Sequence, residues 1–292
     1  MICKCKLLSK ATPYVLLVPC FVLLFFFKFL PIITSFYESF HAPAYLGHRF
    51  IGLSNYIDLF TDSVFWNSFK VTLLFNLIVN PFQIVISFIL ALLVNLKIKG
   101  IWFFRGIYFL PVAVSMTVTS VLWGLMFNPQ GGLINAILNV FGIPAQPFLT
   151  SPKQALFSII IMISWKGVGY WMIFLLAGLQ NIPQEVNEAS LIDGANPIQN
   201  FFYITIPLLK RVITFVVVAD TVTNFLLFAP IYLLTKGGPA GSTNLLMYEA
   251  YNNAFVYANL NRAAAITTIL LIIASIIAAL EFRMFKPGFE EY

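Results

Sequence analysis

The sequence predicts an all-α polytopic membrane protein with six transmembrane helices. Three observations carry this. First, 60% of the 292 residues are hydrophobic and only 10% are charged, with a mean hydropathy of +0.90. A soluble domain carries about 25% charged residues, so this chain lacks the polar surface to cover itself in water. Second, its apolar runs reach the ~20 residues needed to cross the hydrocarbon core of a bilayer. Third, those runs are continuous rather than alternating, which favours helices over a β-barrel.

Taken in order, the first span is expected at about 11–37, behind the short basic start MICKCKLLSK. It is too long for a signal-peptide core and has no small-residue cleavage site. Pro19 and Pro31 are expected to bend it; prolines are tolerated where neighbours satisfy the freed carbonyl. A polar, aromatic-rich loop, 38–67, follows. The second span is expected at about 68–96 with Pro81 inside, and the third at about 103–127 with Pro111 inside. Gly131-Gly132, Pro144, Pro147 and Pro152 mark 128–153 as a loop. The fourth, fifth and sixth spans fall at about 154–179, 208–234 and 262–285. No loop is long enough to bury a core of its own, so 1–292 reads as a single transmembrane domain. Cys3, Cys5 and Cys20 have no metal-ligand spacing and imply no disulfide framework.

Six spans put both termini on one side, and positive charge decides which. One alternating set of segments holds Lys4, Lys6, Lys10, Lys97, Lys99, Arg105, Lys210, Arg211, Arg283 and Lys286. The other holds Arg49, Lys70, Lys153, Lys236 and Arg262. Ten against five makes the first set cytoplasmic, along with both termini and the loop 180–207. The net charge of +6 is therefore an orientation signal and not a nucleic-acid signal.

That loop contains EVNEASLIDGANPIQNFFYITIP, Glu185 to Pro207, with three of the chain's eleven acidic residues. Glu185, Glu188 and Ser190 fall on a helix-forming segment. Asp193-Gly194 supplies a turn, because glycine accepts positive φ, and Pro197 suits the first turn of a second helix. Ala189 beside Glu188 allows a partner to approach closely while the carboxylate meets a cation. The plainer alternative is a hairpin lying on the membrane with its acids solvated.

Glu188-Ala189-Ser190, Asp193-Gly194-Ala195 and Ile204, Ile206-Pro207 resemble the EAA loop of binding-protein-dependent ABC importer permeases. The likeness is greatest to the maltose-permease-like (MalF-like) carbohydrate permeases. Further matching pieces come in family order: FIGLSNY at Phe50–Tyr56, FFRGIYFLP at Phe103–Pro111, LAGLQNIPQE at Leu176–Glu185 and LTKGGP at Leu234–Pro239. Ser190 stands where the family motif has alanine, and LNRAAAITT lacks the family's usual glycine. The resemblance implies a type I importer fold in which the EAA hairpin couples to a cytoplasmic ATPase. Glu188, Ala189 and Gly194 match directly, with Glu185, Ser190, Asp193, Ala195 and Pro207 alongside. It also implies a second, different permease as heterodimer partner, two ATPase subunits and an extracellular solute-binding protein. The binding protein would dock on outer loops that include Gly52–Phe60 and Lys236–Thr243. The chain has no phosphate-loop motif of its own. No cofactor is expected in it, ATP-Mg being used by the partner ATPase.

Charges inside spans are costly and mark functional hypotheses. Lys28 can snorkel outward and reads as structural. Lys166 and Asp220 lie near the middle of the fourth and fifth spans. Lys166 and Tyr170 share a helix face, with Trp165 and Gly167 alongside; Asp220 and Asn224 share another. Aromatic faces with amide, carboxylate and ammonium groups suit a sugar site. In the resembling family, substrate contacts come from these two regions. Lys166 and Asp220 could contact substrate or pair with each other. Asn76 and Gln83 in the second span read as helix–helix glue.

The expectation is a membrane-embedded permease subunit, not an enzyme, forming half of a carbohydrate path in the bacterial plasma membrane. A cavity-facing Lys166 would instead favour glycerol-3-phosphate or an acidic sugar. Rival classes are an ion-coupled secondary transporter relaying through Lys166 and Asp220, and a membrane scaffold or receptor subunit without transport.

Overall fold

The computed structural model describes residues 14–285; Cys3, Cys5 and the basic N-terminal start lie outside them. Among the described residues the regular structure is helical, apart from one isolated bridge between His41 and Phe50. Five helices are long and apolar enough to cross a membrane, or six when one sharply bent pair counts as a single span. The chain forms two compact units, Met1–Asp62 with Ala250–Ile269, and Ser63–Glu249 with Leu270–Tyr292.

The first unit is built on α1, Tyr14–Glu38, whose apolar window is not buried by the rest of the chain. Helix α1 is not broken at its prolines. It widens into a π-turn over Phe25–Phe29, with the Leu30 N–H bonded to the Phe25 carbonyl just ahead of Pro31. Proline offers no N–H and its ring crowds the carbonyl four residues back, and the wider turn relieves both. Beyond α1, α2 (Ser54–Thr61) is held by Asn55, whose amide donates to the carbonyls of Ser39 and His41 at 2.8 and 3.1 Å. Asn261 donates to the Glu38 carbonyl and carboxylate at 3.0 and 2.9 Å. Arg262 pairs with Asp62.

The second unit holds α3 (Ser63–Val94), α4 (Ile101–Ala113), α5 (Met116–Met126), α6 (Leu133–Val140) and α7 (Ala155–Gln180). Next come α8 (Gln184–Ile192) and α9 (Pro197–Phe225). The short α10 (Leu246–Tyr251) and the long α11 (Leu260–Met284) begin in one unit and end in the other. Helix α7 is the centre of this unit. Its Met172, Leu175, Leu176 and Leu179 are buried against Ala91 and Val94 of α3 and Leu209 and Val216 of α9. Glycine makes the closest approach possible: a Cβ on Gly169 would lie 2.0 Å from the Tyr108 carbonyl oxygen of α4.

Two expected spans take a different form. The third is not one helix: α4 and α5 meet at 98°, with Val114 and Ser115 extended between them. Ser115 caps α5 by accepting from the Val118 N–H. The fifth starts eleven residues earlier than expected, because the second hairpin helix runs straight into it. It does so through a π-turn over Phe201–Thr205 just ahead of Pro207, the same device as at Pro31. It also ends sooner, at Phe225.

Candidate functional site

The hairpin is shaped by local signals. Helix α8 ends at Asp193, and Gly194 follows with φ +81°, a conformation that suits glycine. The Ala195 N–H reaches the Ser190 carbonyl at 3.0 Å and the Gly194 N–H the Leu191 carbonyl at 3.1 Å. These two bonds are a glycine-based helix stop. Three residues on, Asn196 and Gln199 exchange side-chain to backbone bonds of 2.8 and 2.9 Å, and Pro197 occupies the first turn of α9. Asn200 donates to the Ser190 hydroxyl at 2.6 Å, joining the two arms. Gln184 donates to Glu188 at 2.8 Å and accepts from Lys97 at 3.3 Å.

The hairpin exposes what a docking element would. Glu185, Glu188, Ala189, Asp193, Gly194 and Pro207 are exposed, Ala195 is partly buried and Ser190 is buried. Leu191, Ile192 and Ile198 are exposed apolar side chains, Ile192 at 86%. Among the described residues, nothing beyond its chain neighbours lies within 4 Å of where a Gly194 Cβ would point.

The membrane interior is organised differently. Asp220 and Asn224 of α9 are buried and 3.1 Å apart, with the amide donating. Trp171 of α7 donates its indole N–H to the same Asp220 oxygen at 2.6 Å. From α3, the carbonyl oxygens of Asn80 and Gln83 accept from Asn224 at 2.8 and 3.3 Å. Asn80 donates to Thr221 at 3.0 Å, and Thr221 donates to Glu281 of α11 at 2.8 Å. This cluster ties four helices together. It leaves Asp220 Oδ2, Gln83 Nε2 and Glu281 Oε2 buried without a hydrogen-bond partner.

Lys166 and Asp220 do not pair. The Lys166 ammonium donates to the carbonyls of Pro111 and Val112, both at 3.2 Å, and to that of Val114. They lie where α4 stops, the Pro111 carbonyl also accepting from the Val114 N–H at 3.3 Å; a spanning helix cannot leave such terminal carbonyls unmet. Three N–H donors and a positive charge suit them, at the negative end of the helix dipole. Arg105 does the same for α3, donating to the Val94 carbonyl at 3.0 and 2.8 Å.

The other expected contact residues border this cluster or sit on the exposed face of α7. Trp165 and Tyr170 are exposed, at 46% and 42%. Trp165 lies edge-on to Trp123 of α5 with ring centroids 5.7 Å apart, and Tyr170 lies against Trp171 and Phe174. Gly167 backs onto Gln83, whose amide nitrogen would lie 2.9 Å from a Cβ there. Sequence reasoning therefore joined Asp220 to Asn224 correctly but missed Trp171 and Asn80. Both carried a signal: they are polar or polar-tipped groups inside apolar runs.

A helical protein crossing the membrane several times, with one broken span and an exposed hairpin between two spans, has the architecture of a membrane permease. The chain belongs to the family of binding-protein-dependent transport system inner membrane components, which it matches over residues 83–290. It is 36% identical to a probable ABC transporter permease, YurN, of Bacillus subtilis, covering 97% of this chain and 99% of that one. It is 35% identical to the sn-glycerol-3-phosphate transport system permease UgpA of Agrobacterium fabrum, over 94% of each. To the trehalose/maltose transport system permease MalF of Thermococcus litoralis it is 33% identical, over 97% of each. A solved bacterial ABC transporter for import of the acidic polysaccharide alginate shares the fold, with a TM-score of 0.85 at 22% identity, over 98% and 99% of the two chains. The same holds for an alginate transporter solved with its pentasaccharide-bound periplasmic protein, at a TM-score of 0.83 and 22% identity, over 96% of each. The chain is thus a permease subunit of a binding-protein-dependent ABC transporter.

Proposed function

We propose that this chain forms half of the translocation path of an ATP-driven carbohydrate importer. Its hairpin from α8 into α9 receives the motion of a cytoplasmic ATPase. The observation that carries the reading is the hairpin itself: a ridge of Glu185, Glu188, Leu191, Ile192 and Ile198 around Gly194, left bare by the described residues. The excess of positive charge on the same side supports a cytoplasmic position for it and for both termini. ATP and Mg²⁺ act in the partner ATPase. A second permease completes the path, and a loaded solute-binding protein docks on the opposite face. The carbohydrate class is supported by the trehalose/maltose relative.

Glycerol-3-phosphate is the second reading, favoured by the UgpA relative at 35% identity. Recognition of an anion by Lys166 would help it, but that ammonium is already engaged by three backbone carbonyls.

The test is uptake into proteoliposomes holding the complete complex, with radiolabelled trehalose, maltose and glycerol-3-phosphate as probes. Sugar uptake that needs ATP and the binding protein, and survives an uncoupler, is expected. Uptake that collapses with the uncoupler and ignores ATP would indicate an ion-coupled transporter. Preference for glycerol-3-phosphate would reverse the substrate assignment.

A further inference from the structure

Helix α9 runs from the hairpin into the membrane as one stretch, Pro197–Phe225. A regular α-helix carries a tilt at one end straight to the other, because each N–H bonds to the carbonyl four residues back. Between hairpin and span that ladder changes. The Ile206 N–H reaches back five residues, to the Phe201 carbonyl. The next residue, Pro207, has no N–H to give. Helices bend at wide turns of this kind.

The surroundings change at the same place. On the span side, Leu209 is 1% exposed and Val216 is buried, both in the cluster around α7. Leu209 sits so close to α7 that a Cβ on Gly178 would lie 2.8 Å from its side chain. On the hairpin side, Ile198 and Phe202 are exposed, and Tyr203 is 79% exposed. One end of α9 is therefore gripped by the bundle and the other is not. At the turn, Phe201 lies edge-on to Phe88 of α3, with ring centroids 5.5 Å apart. Such a contact has no hydrogen bond to break when the angle changes. One side-chain bond crosses the turn: the Thr205 hydroxyl donates to the Asn200 side-chain oxygen at 3.2 Å. The Asn200 amide meanwhile donates to Ser190 on the first arm.

We propose that the π-turn at Phe201–Thr205 is a joint between the hairpin and its span, with Asn200 and Thr205 as positioning residues that set its resting angle. This rests on the ATPase-coupling reading above and deepens it by placing the bend inside α9. A hairpin fixed rigidly to a tilting span would slide on its partner or lift away from it. A joint one turn from the contact lets the hairpin stay seated while the displacement passes on through the chain. Loosening of the hairpin itself should then stop at the turn.

The experiment uses proteoliposomes holding the complete complex. It measures ATP hydrolysed per molecule of radiolabelled trehalose, maltose or glycerol-3-phosphate, whichever probe the wild type carries. Thermal unfolding in detergent is followed alongside. Pro207→Ala returns an N–H to the turn and stiffens it. The unfolding temperature is expected to hold or rise, while the ATP cost per molecule carried rises about tenfold. Thr205→Val keeps the shape but cuts the bond to Asn200, and should raise the ratio about threefold. Thr205→Ser, which keeps the hydroxyl, should restore it. A wild-type ratio in Pro207→Ala would overturn the joint. So would a fall in stability and transport together, which marks a merely structural proline, or loss of the ATPase from a Pro207→Ala pull-down, which marks a docking contact. A wild-type ratio in Thr205→Val would overturn the positioning role of the Asn200–Thr205 bond. Wild-type uptake that proceeds without ATP would overturn the coupling reading itself, and the joint with it.

Discussion

The hairpin and the membrane interior use polar residues in opposite ways. In the hairpin, polar groups close on near neighbours: Gly194 and Ala195 bond back into α8, and Asn196 and Gln199 satisfy each other. The acids are left facing outward. In the interior, the bonds that join helices reach far along the chain, as in Trp171 to Asp220, Asn80 to Thr221 and Lys166 to the α4 carbonyls. In water an unused donor costs little, so the hairpin can afford a bare ridge. In lipid an unused donor is expensive, so the interior polar groups become the register that aligns four helices. One region leaves its acids and apolar side chains exposed, and the other holds its own helices in place.

The largest test of that contrast is Gly194→Arg. The φ of +81° disfavours a side chain by roughly 1–2 kcal/mol, and the new side chain would project into the open space in front of the ridge. Uptake is expected to vanish and the ATPase to be lost from pull-downs, while the spans keep their thermal stability in detergent. Loss of span stability would show that the hairpin is not the self-contained element its hydrogen bonds describe.

Asp220→Ala attacks the other side of the comparison. It strips the acceptor from the Trp171 indole and removes one partner of Asn224, inside a bilayer. Leaving buried donors unmet should cost about 2–4 kcal/mol. Thermal unfolding in detergent should fall accordingly, with the hairpin's amide protection unaffected. A fully stable variant that has lost uptake would instead return Asp220 to a direct substrate role.

The same contrast explains what could be read from the sequence. The hairpin was legible because its signals are local: Gly194 after Asp193, and Pro197 at a helix start. The spans were legible from hydropathy alone. The break between α4 and α5 was not, because a bent pair has the same mean hydropathy as a straight helix. The cation that meets its carbonyls, Lys166, comes from another helix. Lys166 and Asp220 could be placed at equal depth, but depth does not give the direction a side chain takes around a helix. Hence the pairing expected as one alternative between them does not occur. Each met a partner that spacing could not reveal, backbone carbonyls for one and an indole for the other.

Lys166→Met follows from that. Methionine matches the stem of lysine but has no N–H, so the carbonyls of Pro111, Val112 and Val114 lose their shared donor. The expected cost is about 1–3 kcal/mol, seen as earlier thermal unfolding together with reduced uptake. Unchanged stability with abolished uptake would mean that the ammonium serves the substrate and not the break.

Ser190→Ala is the smallest change and the sharpest on the comparison. It brings the hairpin to the alanine of the EAA pattern and removes the 2.6 Å bond from Asn200. The glycine-based stop uses the Ser190 carbonyl, not its hydroxyl, so the turn itself should survive. About 1 kcal/mol of local stability should be lost. Hydrogen exchange would read this as roughly fivefold weaker protection of the amides that close the turn, Gly194 and Ala195. Amides in α3, α7 and the spanning part of α9 should exchange as before, because the link being cut joins the two arms of the hairpin only. Loosening that spreads into α9 would mean that Asn200 passes hairpin geometry directly into the span. The π-turn at Phe201–Thr205 would then be the point where the two regions are coupled.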